Sequence, residues 1–148
     1  MQKIHSLVKN RKYTVHEQLS SLQACFKGGR YERRYNGFTW WFEVTPTPLS
    51  DTYLLKIVYN QHAVPLVYVE EPKPLLLAKG AKTLPHTYNS KKQQLCLFMP
   101  KRMEWTSSML ISKTIVHWAI EWLYYYEEWA YSGRWYGGGH GKWDVMKS

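Results

Sequence analysis

RYERRYNGFTWWFEV, residues 30 to 44, reads as two strands joined by a tight turn. Asn36-Gly37 is the strongest short hairpin signal a sequence can carry, because both residues tolerate positive φ, and RYERRY before it alternates as a strand should. A hairpin here makes the fold sheet-bearing, and the segments that follow extend the sheet. After the turn-rich PTPLSD, TYLLKIVYN and PLVYVEE supply two further strands with QHAV between them. The expectation is a four-stranded antiparallel meander, and a sheet this apolar has to bury one face against helices.

On the N-terminal side, residues 1–13 are polar and basic and form a lead-in without a clear period. Thr14 followed by Glu17 is a capping-box pattern, in which hydroxyl and carboxylate satisfy backbone N–H groups at a helix start. A helix over about 15–27 follows, with Val15, Leu19, Leu22 and Cys25 or Phe26 on one stripe and Gly28-Gly29 as its stop. Cys25 is expected in that buried stripe, as an inert thiol.

On the C-terminal side, residues 72–100 contain Pro72, Pro74, Gly80, Pro85 and Pro100 and lose periodicity. A loop of that length within a compact fold is often functional. Thr106, Ser107 and Ser108 then offer caps for a helical run over 108–131 that ends at Ser132-Gly133. Such a helix is roughly 35 Å long at about 1.5 Å per residue, with Tyr124-Tyr125-Tyr126 as the place for a bend or a split. The tail at 133–148 sets three glycines before His140.

These elements make an α+β fold in a single domain over 1–148, a length that supports a core without disulfides or metals. With 8 Trp and 12 Tyr, large flat side chains dominate the packing. The net charge of +9 favours acidic partners or polyanions without choosing between them. Two cysteines without a CxxC pair, and an N-terminus without an apolar signal core, point to a reduced, cytoplasmic protein. The most apolar stretch, 109–126, is interrupted by Lys113, His117 and Glu121, which fits a buried helix and not a membrane span.

The chemistry-bearing stretch is PHTYNSKKQQLCLFMP, residues 85–100. A nucleophilic cysteine needs partial exposure, a surrounding that favours thiolate, and donors for the oxyanion. Cys96 follows a loop holding Lys91 and Lys92, and His86 stands ten residues upstream. The same residues also suit a plainer account, in which Cys96 is a small buried hydrophobe in a final strand, LCLF, and His86 holds a turn.

The order of elements decides between these. An N-terminal helix, a meander, a proline-bearing loop with His86, then Cys96, Leu97 and Trp105, and then helices, resembles the ubiquitin-conjugating enzyme fold over residues 14–131. The chain is more closely similar to the bacterial ubiquitin-conjugating-like proteins of CBASS antiphage operons, through PHTY at 85–88, LCLF at 95–98 and WLYYYEEWAYSGRWYGGGH at 122–140. The resemblance implies a thioester between Cys96 and the C-terminus of a cGAS-like nucleotidyltransferase, transferred to an amine to prime antiphage signalling. It also implies that His86 sets the loop more than it acts as a base. Where that fold family has Pro-Asn, this chain has Thr87-Tyr88, with Asn89 one residue late, so Tyr88 or Asn89 is the candidate hydrogen-bond donor. His140 is a further candidate, returned to Cys96 by its glycine run, or else an exposed tail residue.

No GxGxxG or P-loop glycine pattern is present, so no nucleotide cofactor is expected and activation has to come from elsewhere, a separate activating enzyme being one source. His86, Cys96 and His140 lack the paired close ligands of zinc sites, and no metal is expected. A competing reading takes Arg30, Tyr31, Arg33, Arg34, Tyr35, Trp40 and Trp41 as a stacking platform for single-stranded nucleic acid. Core aromatics alternating with solvated arginines are the preferred account of that hairpin. A non-catalytic scaffold of the same fold is the third possibility, and Cys96 in register speaks against it.

Overall fold

The computed structural model describes residues 11–99 and 102–137, so most of the basic lead-in and of the glycine-rich tail lies outside the described residues. In chain order the elements are α1 (Val15–Cys25), β1 (Arg30–Arg34), β2 (Gly37–Val44), β3 (Tyr53–Asn60), β4 (Leu66–Glu71), β5 (Thr87–Asn89), β6 (Gln94–Leu95), a 3-10 turn (Ile111–Lys113) and α2 (Ile115–Ser132).

The capping box forms: Thr14 Oγ1 accepts the Glu17 N–H at 3.0 Å, and the Glu17 carboxylate accepts the Thr14 N–H at 3.0 Å. The buried stripe of α1 is Gln18, Leu19 and Leu22, and Cys25 is exposed, contrary to expectation. The helix ends at Cys25, and Phe26 takes the inward place instead, its ring 6.0 Å from Phe42.

Gln18 is a polar member of an apolar stripe for a reason. Its Nε2 donates to the Met109 carbonyl at 2.8 Å and its Oε1 accepts the Ile111 N–H at 2.9 Å, which fastens the approach to α2 onto α1. Gln18→Leu keeps the volume and strands both backbone groups in the interior, at a cost of about 2–4 kcal/mol. Thermal unfolding is expected to fall by roughly 5–15 °C; an unchanged melting temperature would mean that water replaces the amide.

The hairpin turn consists of Tyr35 and Asn36, since Arg34 pairs with Gly37. Asn36 takes positive φ, 57°, whereas Gly37 already belongs to β2. Its glycine is needed for close approach: a Cβ there would sit 2.2 Å from the Tyr59 carbonyl oxygen. Gly29 serves a similar purpose, because a Cβ would meet the Trp40 ring at 1.9 Å.

Pairing aligns Phe38 with Tyr59, Trp40 with Ile57 and Phe42 with Leu55, then Ile57 with Val67 and Leu55 with Val69. These residues alternate with their neighbours and form one buried face, covered by Leu19 and Leu22 and by Ile115, Ala119 and Leu123. Full burial of each such aliphatic side chain contributes roughly 1.5–3 kcal/mol.

The sheet has six strands and not four, in the order β1-β2-β3-β4-β6-β5. The segment expected to be irregular adds β5 and β6, of 3 and 2 residues, which is too short for a period-2 pattern to be read. Tyr68 of β4 pairs with Gln94 of β6, so the 85–98 stretch is an extension of the sheet.

The long helix also differs from expectation. It begins at Ile115 and not near residue 108, giving 18 residues and one continuous helix through the tyrosine cluster, about 27 Å long. Thr106 and Ser108 bond each other at 2.9 Å and cap nothing; the segment between them and α2 is held by Gln18. Tyr126 is buried in mid-helix with its ring edge-on to Tyr53, and Glu127 accepts hydrogen bonds from Ser50 at 2.6 Å and Tyr53 at 2.7 Å. The helix closes on Gly133, φ 80°. Among the described residues no helix is long and apolar enough to cross a membrane.

Candidate thiol site

The β5–β6 hairpin folds residues 85–98 back on themselves. Thr87 pairs with Leu95, and the Cys96 N–H donates to the His86 carbonyl at 3.0 Å, which closes the ten-residue gap seen in the sequence. At the turn, the Gln93 N–H donates to the Ser90 carbonyl at 3.1 Å and Asn89 Oδ1 accepts the Lys92 N–H at 2.9 Å. Gln93 is buried at φ 57°, where glycine or asparagine would be usual. Its Oε1 accepts the Leu75 N–H at 2.7 Å, and its Nε2 donates to the carbonyls of Val69 at 2.9 Å and Pro72 at 3.1 Å. One side chain thus satisfies three backbone groups and fixes the hairpin against β4 and the proline segment.

His86 is 2% exposed and has φ 50°, a left-handed conformation that costs roughly 1–2 kcal/mol for a residue with a Cβ. The surroundings hold it there. Its carbonyl accepts a second hydrogen bond, from Trp122 Nε1–H of α2 at 2.9 Å, and its ring stacks on Trp135 at 4.6 Å between centroids. The backbone of His86 therefore joins Cys96 to α2, and its ring lies under the start of the tail.

Cys96 follows directly on β6 and is 2% exposed, less than the partial exposure expected of a nucleophile. Its Sγ reaches the Phe98 carbonyl oxygen at 3.9 Å. The Tyr88 hydroxyl donates to the same oxygen at 2.5 Å, so a phenol, a thiol and a carbonyl meet at one point. The Tyr88 pKa is raised, first by burial, then by its hydrogen bond to Cys96 and the repulsion of Cys96 and Glu104. The phenol accordingly stays protonated and remains a donor. Tyr88 as a residue is 47% exposed, whereas Cys96 is buried.

The other candidates fall in different places. Asn89 uses its side-chain oxygen in the turn, and Lys91 and Lys92 are exposed there. Leu97 and Trp105 are buried, the latter donating from Nε1 to Thr114 at 3.0 Å. His117 is exposed on α2, and His140 lies outside the described residues. On the basic hairpin, Trp40 is buried and Arg30 covers the Trp41 ring at 4.8 Å, while Tyr31 and Tyr35 are exposed and so are not core aromatics. Gln18, Gln93 and the Trp122–His86 contact carry no signal in the sequence; only the density of tryptophans in 118–135 hinted at the last.

The family model described as Type II CBASS E2 protein matches residues 18–142, from α1 through the whole sheet, the thiol site and α2. No curated protein matches the chain.

Proposed function

The chain belongs to the Type II CBASS E2 proteins, and from that premise we propose that Cys96 is the nucleophile of an E2-like conjugating enzyme that carries the C-terminus of a cGAS-like nucleotidyltransferase as a thioester. The observation that carries this reading is the meeting of Cys96 Sγ and the Tyr88 hydroxyl at the Phe98 carbonyl, on a hairpin tied to α2 through His86. A buried thiol with no polar company would read as core.

The chemistry follows from the groups present. A separate activating enzyme delivers the C-terminus as an activated acyl group. The Cys96 thiolate attacks its carbonyl carbon, a new C–S bond forms, the bond to the leaving group breaks, and the thiol proton passes to solvent or to the departing group. An amine then attacks the thioester, an amide C–N bond forms, the C–S bond breaks to release the Cys96 thiolate, and the proton lost by the amine passes to solvent or to that thiolate. Each attack places negative charge on the carbonyl oxygen, and a nearby protonated donor stabilises it. Tyr88 is that donor once its hydroxyl leaves Phe98, and the same swing uncovers the thiol.

Mixing the protein with a CBASS nucleotidyltransferase and its activating enzyme is expected to give an adduct on non-reducing gels that thiols dissolve; an adduct that resists thiols would reject the thioester. Tyr88→Phe keeps the ring and removes the donor. It is expected to slow transfer of the acyl group to an amine by about 10²-fold and to speed alkylation of Cys96, as read by single-turnover kinetics and mass spectrometry. Transfer at the wild-type rate would leave Tyr88 without a part in the chemistry.

A further inference from the structure

Beside the thiol, between the start of β4 and the turn after β6, lies a cavity of about 220 Å³. Val64, Pro65, Tyr88, Gln94, Leu97 and Phe98 are among the residues that line it. Its surface is almost wholly apolar, since the Tyr88 hydroxyl is turned to the Phe98 carbonyl. Two of its walls, Tyr88 and Phe98, are the residues that hold Cys96 Sγ. Because a chain advances at most about 3.3–3.6 Å per residue, a peptide acylated on Sγ passes the mouth of this cavity within its last few residues.

We infer that the cavity is a specificity pocket for one apolar side chain near the C-terminus of the acyl donor. This rests on the proposal that Cys96 is acylated. The volume suits a single branched aliphatic side chain or one aromatic ring. A charged side chain would lose its hydration there with no partner to replace it, so the pocket selects donor tails by what stands one to three residues before the acyl carbonyl. Its position also explains why an apolar hollow is kept next to a polar reacting centre: the side chain is buried only when the carbonyl is near the thiol, so binding and orientation come together.

The test uses peptide thioesters of mercaptoethanesulfonate that end in glycine, with Leu, Phe, Ala, Asp or Lys placed in turn at each of the three preceding positions. They are applied to the full chain carrying Cys25→Ser, so that Cys96 is its one thiol. Acylation is followed by intact mass. Leu or Phe at one of the three positions is expected to acylate Cys96 about 10-fold or more faster than Ala, with Asp and Lys slower than Ala. Val64→Phe, which fills the hollow, is expected to bring the Leu-to-Ala ratio to about 1. Equal rates for all peptides, or faster acylation with Asp or Lys, would overturn the pocket and leave Cys96 as the nucleophile. Failure of every peptide to acylate Cys96 would overturn the nucleophile, and the pocket with it. The peptide series on the unfilled chain decides the matter even where Val64→Phe does not fold.

Discussion

Cys96→Ala is expected to abolish the thiol-labile adduct and to lower transfer of the nucleotidyltransferase C-terminus by at least about 10³-fold, the scale seen when a covalent nucleophile is removed. Tyr88, His86 and the hairpin remain, but none of them forms a bond that stores the acyl group. The fold is expected to survive, because deleting one sulfur from a buried site leaves a small cavity worth about 1 kcal/mol. Cys96→Ser separates the two roles further. A serine hydroxyl attacks far more slowly than a thiolate, and any adduct it forms is an oxygen ester that thiols leave intact. Intact mass with and without thiol treatment distinguishes the three chains. An adduct of normal yield on Cys96→Ala would place the nucleophile elsewhere, with the exposed Cys25 the first residue to test.

Trp122→Ala is expected to have the largest effect on stability. Trp122 is buried, stacks on Tyr126 at 5.6 Å, leans on Trp135 at 5.6 Å and donates to the His86 carbonyl. Removing the ring costs about 3–5 kcal/mol, a large share of a stability of about 5–15 kcal/mol. At this chain length the melting temperature is expected to fall by roughly 10 °C or more. Trp122→Phe isolates the indole N–H. It keeps most of the packing and loses the hydrogen bond to the His86 carbonyl, at about 1 kcal/mol. The expected signature is a small thermal shift with a clear rise in Cys96 alkylation, because the left-handed His86 backbone has lost the restraint that ties it to α2. If Phe and Ala variants melt alike, the hydrogen bond and not the ring carries the stability.

Much of the scaffold was legible because it rests on local chemistry. Thr14 with Glu17 announces a helix start, Asn36 a turn that lies one residue earlier than Asn36-Gly37, and TYLLKIVYN a strand, in which Tyr53, Leu55, Ile57 and Tyr59 face inward. The thiol site was legible in part. Cys96 and His86 stood out by spacing, and Tyr88 by the shift of asparagine to 89, yet nothing in the sequence said that Tyr88 and not Asn89 would reach the sulfur. What stayed hidden depends on contacts between residues far apart in the chain. Gln18 and Gln93 look like surface glutamines until their partners at 109, 111, 75, 69 and 72 are brought to them. The β5–β6 hairpin was missed because its strands are short and because Gln93, held by those partners, takes a backbone conformation that turn rules assign to glycine. The early start given to α2 and the burial given to Cys25 failed for the same reason: local patterns continued where Gln18 and Phe26 end them.

The most direct test of Cys96 as the acyl carrier is proteolysis of the adduct under mildly acidic, thiol-free conditions, followed by mass spectrometry of the joined peptides. The expected product links the C-terminal carbonyl of the nucleotidyltransferase to Sγ of Cys96 and separates on addition of thiol. A link to Cys25 or to a lysine of this chain, with Cys96 recovered as an unmodified thiol, would contradict it.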